Sequence, residues 1–263
     1  MNGNFVTTAI DARGVATVTL DNPQKHNAFD DKIIAELTEA FTTVDHDPAA
    51  RVMVLASNGR SFSAGGDLNW MKRMASYSHE ENMQDARALA NLLKALNFMS
   101  KPTIARIQGA AFGGAVGLVS CCDMAIATER ASFSLSEVKI GLMPATISPY
   151  VVAAMGQRAS RRYFATAERF SADEALRLGL VSQVVAEEGI LDAAVASLVD
   201  CLLTNSPAAM AASKQLVFEV AGRVIDEALV DMTCQRIADI RVSPEGQEGL
   251  SAFLEKRSPN WIQ

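Results

Sequence analysis

Twice in this chain a short apolar run ends in a glycine turn that opens into a helix-like segment. The first is "VMVLAS" followed by "FSAGGDL"; the second is "TIARIQG" followed by "AAFGGAVGL". Strand-like and helix-like segments alternate around both turns over the first two-thirds of the sequence. That alternation predicts an α/β fold with parallel strands and right-handed crossovers. "NFVTTAI" and "VATVTL", separated by "DARG", read as a hairpin. "DDKIIAELTEAFTTVDHD" has helical spacing at Ile33, Ile34, Leu37, Phe41 and Val44. "SHEENMQDARALANLLKALNFMS" reads as a long amphipathic helix, with Ser78 as N-cap and Glu81 completing a capping box. From about residue 160 the pattern is almost wholly helical, with one more strand at "LVSQVV".

Ligands of open α/β sheets bind at the carboxyl ends of the strands, where both glycine turns lie by sequence order. Glycine allows close backbone approach, and the first amides of a helix have no intrahelical acceptor. One such amide from each turn, converging on one oxygen, makes an oxyanion hole in which each donor contributes about 3 kcal/mol. Tight helix–sheet packing also selects small residues, so both readings stay open for either turn alone. Neither turn matches a Walker A loop or a G-x-G-x-x-G fingerprint.

The bulk composition narrows the function further. With 49% hydrophobic residues among 263, the chain can bury a sizeable core. A net charge of −6 without a Lys/Arg-rich run argues against nucleic acid. A few local cations can still bind an anionic small molecule. The four cysteines lack zinc-site spacing and the three histidines, His26, His46 and His79, are scattered, so no metal site is expected. "MNGNFVTTAIDARG" has no signal-peptide pattern, and no uncharged apolar run reaches the roughly 18 residues of a membrane span. These features predict a soluble cytoplasmic protein with reduced thiols.

Glu137 sits among Phe133, Leu135, Val138, Ile140 and Leu142. A carboxylate desolvated there would have a raised pKa and could pass a proton near neutral pH. The other reading is an ordinary surface glutamate beside Lys139. Cys121 and Cys122 read as small core residues, and Asp123 as a structural acid at a helix end.

Several stretches together resemble the enoyl-CoA hydratase/isomerase (crotonase) superfamily: "NPQKHNAFD", "SFSAGGDL", "KPTIARIQGAAFGGAVGL", "CCDMAIAT", "FSLSEVKIGLMP" and an A-x-x-x-GLV pattern, in that order. The resemblance runs from about Asn4 to the C-terminus. It implies a crotonase-like superhelix of ββα units in a core of 1–195, with a helical region at 196–263 for trimerisation and completion of the coenzyme A site. Homotrimers or dimers of trimers are expected. The implied substrate is an acyl-CoA thioester, with no prosthetic group. Gly66, third in "AGGD", and Gly114 match the oxyanion-hole donors. Lys25, Ala28, Ala64, Asp67 and Leu68 match positions around the coenzyme A adenine and pantetheine. Lys256, in "FLEKRSP", matches a basic position that often reaches coenzyme A phosphate.

Glu137 matches one of two hydratase glutamates, while Gly117 stands where the other is expected. "MPATISPY" places Ala145, Thr146, Ile147 and Ser148 where the family often has a glycine-rich turn. Among subgroups the pattern is similar to bacterial methylglutaconyl-CoA and carboxygeranoyl-type hydratases of leucine and terpenoid catabolism. The leading expectation is hydration of a 2-enoyl-CoA, branched or carboxylated. A single-glutamate isomerase is the alternative, and an RNA-binding or non-catalytic member of the same fold is a third. The methionines of "NWMKRMASYSHEENM" either pack helices or line a substrate tunnel, and Trp70 and Tyr77 mark that segment for acyl-chain specificity.

Overall fold

The computed structural model describes residues 4–262. Strands β1 (Val6–Ile10) and β2 (Val15–Leu20) form the hairpin read from the sequence, with Val6 opposite Leu20. The other strands are β3 (Val52–Ser57), β4 (Thr103–Ile107), β5 (Ala111–Phe112), β6 (Met124–Thr128), β7 (Ser132–Ser134), β8 (Phe170–Ser171) and β9 (Gln183–Val185). The larger sheet has six strands in the order β1-β2-β3-β4-β6-β9, and every pair after the hairpin is parallel. The smaller sheet has the order β5-β7-β8.

The early helices are α1 (Asp31–His46), α2 (Leu68–Met74), α3 (His79–Asn97) and α4 (Gly114–Cys121). They are followed by α5 (Ser148–Thr166), α6 (Ala172–Leu178), α7 (Glu188–Leu203), α8 (Pro207–Val220), α9 (Glu227–Val242) and α10 (Pro244–Glu255). Residues on β3 alternate between two cores. Met53 and Leu55 join Leu37 and Phe41 of α1 and Leu92 and Leu96 of α3, while Val52 and Val54 join Leu191, Val195 and Val199 of α7. A parallel sheet covered on both faces reads as a continuous apolar run because neither side meets water.

The helix starts follow their side chains. Asp30 caps α1 by accepting from the Ile33 amide. The Ser78–Glu81 capping box of α3 is formed in both directions. In α1 the five residues picked by spacing are the five that are buried. The boundary expected after residue 195 falls inside α7, a continuous helix beneath the sheet. The tail that leaves the core therefore begins at α8. Lys214 of α8 ties that tail back, with Nζ 2.8 Å from Asp123 Oδ2. The same Asp123 oxygen accepts from the Thr103 amide and hydroxyl, which bears out its structural reading. No single helix among the described residues is long and apolar enough to cross a membrane.

Candidate active site

The two sheets bring three distant turns together. Strands β5 and β7 run side by side and parallel, so the Gly113–Gly114 turn and Glu137 leave the small sheet on the same side. The first glycine turn joins them because Ser63 bridges to Ala111. The Ser63 amide donates to Ala110 O at 3.0 Å, and the Phe112 amide donates to Ser63 O at 3.0 Å. Two buried amide side chains hold the approach to this turn. Asn27 Nδ2 donates to Asn58 O and Ser61 O, and Gln108 Nε2 donates to Ser57 O and Gly59 O.

Following each backbone amide identifies which ones remain free. Ala64 N donates to His26 O, Gly65 N to Ser63 Oγ and Asp67 N to Phe29 O. Gly66 N, between them, donates to no acceptor among the described residues. In the second turn Gly113 N donates to Ser134 O. Gly114 opens α4, so its amide has no intrahelical acceptor, and none elsewhere among the described residues reaches it. Gly65 and Gly113 are the buried hinges behind these two amides. Both have positive φ, +92° and +54°, and a Cβ at Gly65 would stand 3.1 Å from Phe112 O. The turns thus press backbone to backbone, which a side chain would prevent.

Glu137 begins a short 3-10 turn after β7. Its Oε1 lies 3.2 Å from the place a Cβ on Gly113 would occupy. Its Oε2 is buried with no hydrogen-bond partner among the described residues. Burial pushes the carboxyl pKa above its ordinary value, and a hydrogen bond to its own backbone only partly offsets this. Gly66, Gly114 and Glu137 line one cavity of about 740 Å³, within the usual range for a ligand site. Two free amides beside a partly desolvated carboxylate can polarise a carbonyl and move a proton next to it.

A family model described as enoyl-CoA hydratase/isomerase matches residues 11–263. The chain belongs to the enoyl-CoA hydratase/isomerase family. Similar relatives include the crotonyl-CoA hydratase of Syntrophomonas wolfei, 30% identical over 250 residues and covering 94% of each chain. The 2,3-dehydroadipyl-CoA hydratase of Escherichia coli is also 30% identical, over 248 residues and 94% of each chain. Among solved structures, an enoyl-CoA hydratase from Shewanella pealeana is 50% identical, with a TM-score of 0.95 over 98% of this chain and 96% of that one.

The family's other expected positions divide into two groups. Ala64 lines the cavity, with Gly66, Gly114 and Glu137. Lys25 and Asp67 pair with each other, Nζ to Oδ2 at 2.9 Å. Asp67 also caps α2 through the Asn69 and Trp70 amides. Burial pushes its carboxyl up, but Lys25 and those amides more than offset this, leaving it below the usual carboxylate range. Ala28 is buried behind the turn, whereas Leu68 is exposed at the start of α2. Lys256 is the exposed C-cap of α10 and is not on the cavity wall.

Gly117 explains why no second acid is present on α4. A Cβ there would meet Ile147 Cγ2 at 2.4 Å and Leu93 Cδ2 at 3.3 Å. The isoleucine of "MPATISPY" fills that space and forms part of the cavity wall. Thr146 also lines the cavity, but Ser148 turns its hydroxyl back to Ala145 O and Tyr150 is not on the wall. Met71 and Met74 of α2 face the cavity beside Trp70. Cys121 is buried, which pushes its thiol pKa well up and fits a core role. Sequence reasoning did not single out Asn27 or Gln108 as clips, nor Asp85 as a wall residue. For Asp85 a signal was available: Asn82, Asp85, Ala86 and Leu89 have the spacing of one helical face, and all four line the cavity.

Proposed function

We propose that this enzyme adds water across the double bond of a 2-enoyl-CoA. The thioester oxygen is held by the Gly66 and Gly114 amides, which stabilise the enolate as charge moves onto it. Glu137 exchanges the proton. The observation that carries this reading is the buried, unpartnered Glu137 oxygen in the same cavity as two backbone amides that have no acceptor of their own. Thr146, a hydroxyl-bearing residue lining the same cavity, orients the water. Lys25, Ala28, Ala64, Asp67 and Leu68 flank the adenine and pantetheine of coenzyme A, with Lys256 toward its phosphate. The substrate is a free thioester rather than a prosthetic group. Relatives named for crotonyl-CoA and 2,3-dehydroadipyl-CoA support both neutral and carboxylated chains, and the sequence pattern favours a branched or carboxylated one such as 3-methylglutaconyl-CoA. The unburied apolar side chains of α8–α10 support a trimer or a dimer of trimers.

One observation favours a second reading. Ile147 occupies the side of the cavity where a second carboxylate would project from position 117. A single carboxylate suffices to move a proton from C2 to C4, which shifts a double bond without water. Incubation with 2-enoyl-, 3-enoyl- and 3-methylglutaconyl-CoA separates the two. Hydration adds the mass of water, while isomerisation leaves the mass unchanged and moves the double bond. Products of unchanged mass from every thioester would remove the hydratase reading.

A further inference from the structure

The Trp70 ring lies against Gly66: a Cβ on Gly66 would stand 3.6 Å from its Cε3 and Cζ3. The side chain is buried, and a buried indole N–H needs an acceptor. It finds one across the cavity wall, donating to Asp85 Oδ1 of α3 at 2.9 Å. The backbone end of Trp70 is fixed separately, by its amide donating to Asp67. Helix α2 has only seven residues, and these two tethers act together with the ring's packing in the core to hold the indole. Along the α3 face that carries Asp85, the side chains run from Asn82 past Ala86 and Leu89 toward Leu93, which touches Gly117. The acid therefore sits on an otherwise increasingly apolar wall, one oxygen committed to the ring that backs Gly66.

We propose that Asp85 is a positioning residue that sets acyl-chain discrimination: by holding the Trp70 indole, it fixes the wall that an acyl chain meets beside the Gly66 amide. This inference rests on the acyl-CoA reading above. Asp85 acts through Trp70 and does not touch the thioester. Without it the indole N–H is left unpaired, and the ring is released from its position against Gly66.

The test compares kcat/KM for straight 2-enoyl-CoA thioesters of four, six, eight and ten carbons. The proteins are the wild type, Asp85→Ala, Asp85→Asn, Trp70→Phe and the double variant Asp85→Ala/Trp70→Phe. Asp85→Ala is expected to flatten the chain-length preference about tenfold, the order expected when a buried donor loses its acceptor. Asp85→Asn keeps an acceptor oxygen and should stay within about twofold of wild type. In the Trp70→Phe background Asp85→Ala should change nothing further, because no indole N–H remains. A second readout needs no turnover. The chain has two tryptophans, so Trp261→Phe leaves Trp70 as the sole reporter, and Asp85→Ala should raise its quenching by acrylamide while Asp85→Asn should not.

An unchanged chain-length preference in Asp85→Ala overturns the proposal, as does an Asp85→Ala effect that persists without the indole. Unchanged quenching overturns it as well. A wild type that neither binds nor converts any of these thioesters, nor 3-methylglutaconyl-CoA, instead overturns the acyl-CoA reading on which the proposal rests; one that converts 3-methylglutaconyl-CoA but no straight chain overturns the chain-length proposal.

Discussion

Glu137 ionises in a place that resists its charge. Replacing it with glutamine keeps the shape and removes the proton carrier, so Glu137→Gln should lower kcat by about 10²–10⁴-fold, with acyl-CoA binding little changed by calorimetric titration. The same substitution should act oppositely on stability. The folded-state pKa of Glu137 is raised above the ordinary value of 4.5, so its neutral form stabilises the fold fully below that value. This contribution is lost as pH rises through the raised pKa. Thermal unfolding at pH 7 should therefore show Glu137→Gln with a higher Tm than wild type, and the difference should vanish near pH 4. A lower Tm at pH 7 would show that the carboxylate is stabilised in the fold after all. Gly113 tests the neighbouring backbone. Gly113→Ala forces a side chain into φ +54° and against Glu137 Oε1, and should cost about 1–3 kcal/mol of stability by denaturant unfolding, with lower kcat.

At the scale of elements, α4 and the start of α5 interlock through absence of a side chain on one and bulk on the other. Gly117→Ala meets Ile147 at 2.4 Å, an overpacking that should cost about 1–3 kcal/mol. Ile147→Ala opens a void and should cost about 2–5 kcal/mol. Together they should cost measurably less than the sum in urea unfolding, since the new methyl enters the space just vacated. Additive costs would mean that position 117 does not face Ile147 in solution. This pair also shows where reading the sequence runs out. The hairpin, α1 and the capping box of α3 were visible because each is encoded by local spacing or by residues three positions apart. Gly117 was visible as a missing acid, but its occupant lies thirty positions on and has no local signature. Asn27 and Gln108 were missed for a related reason. A buried amide that satisfies distant carbonyls looks, in one dimension, like any polar residue in a loop.

For the molecule as a whole, α8–α10 remain weakly buried. Leu229 and Ala252 are their buried hydrophobic side chains, while Val217, Phe253 and Leu254 are 61%, 81% and 77% exposed. A patch of that kind commonly marks an interaction surface. Light scattering should give a mass that is a multiple of the 28.1 kDa chain, and Phe253→Glu with Leu254→Glu should shift it toward one chain. A wild type that stays at one chain across micromolar concentrations would remove the trimer reading. A further consequence follows from the two turns pressed together at Gly65 and Gly113. The amides beside that contact belong to the main chain, so no exchange of side chains other than one to proline deletes them. A saturation-mutagenesis map of the whole protein would thus register strain at positions 66 and 114, and only its proline column would touch the hydrogen each one presents, with a backbone constraint added. Removing that hydrogen without proline's ring requires changing the polymer itself, by semisynthesis with an ester in place of the amide.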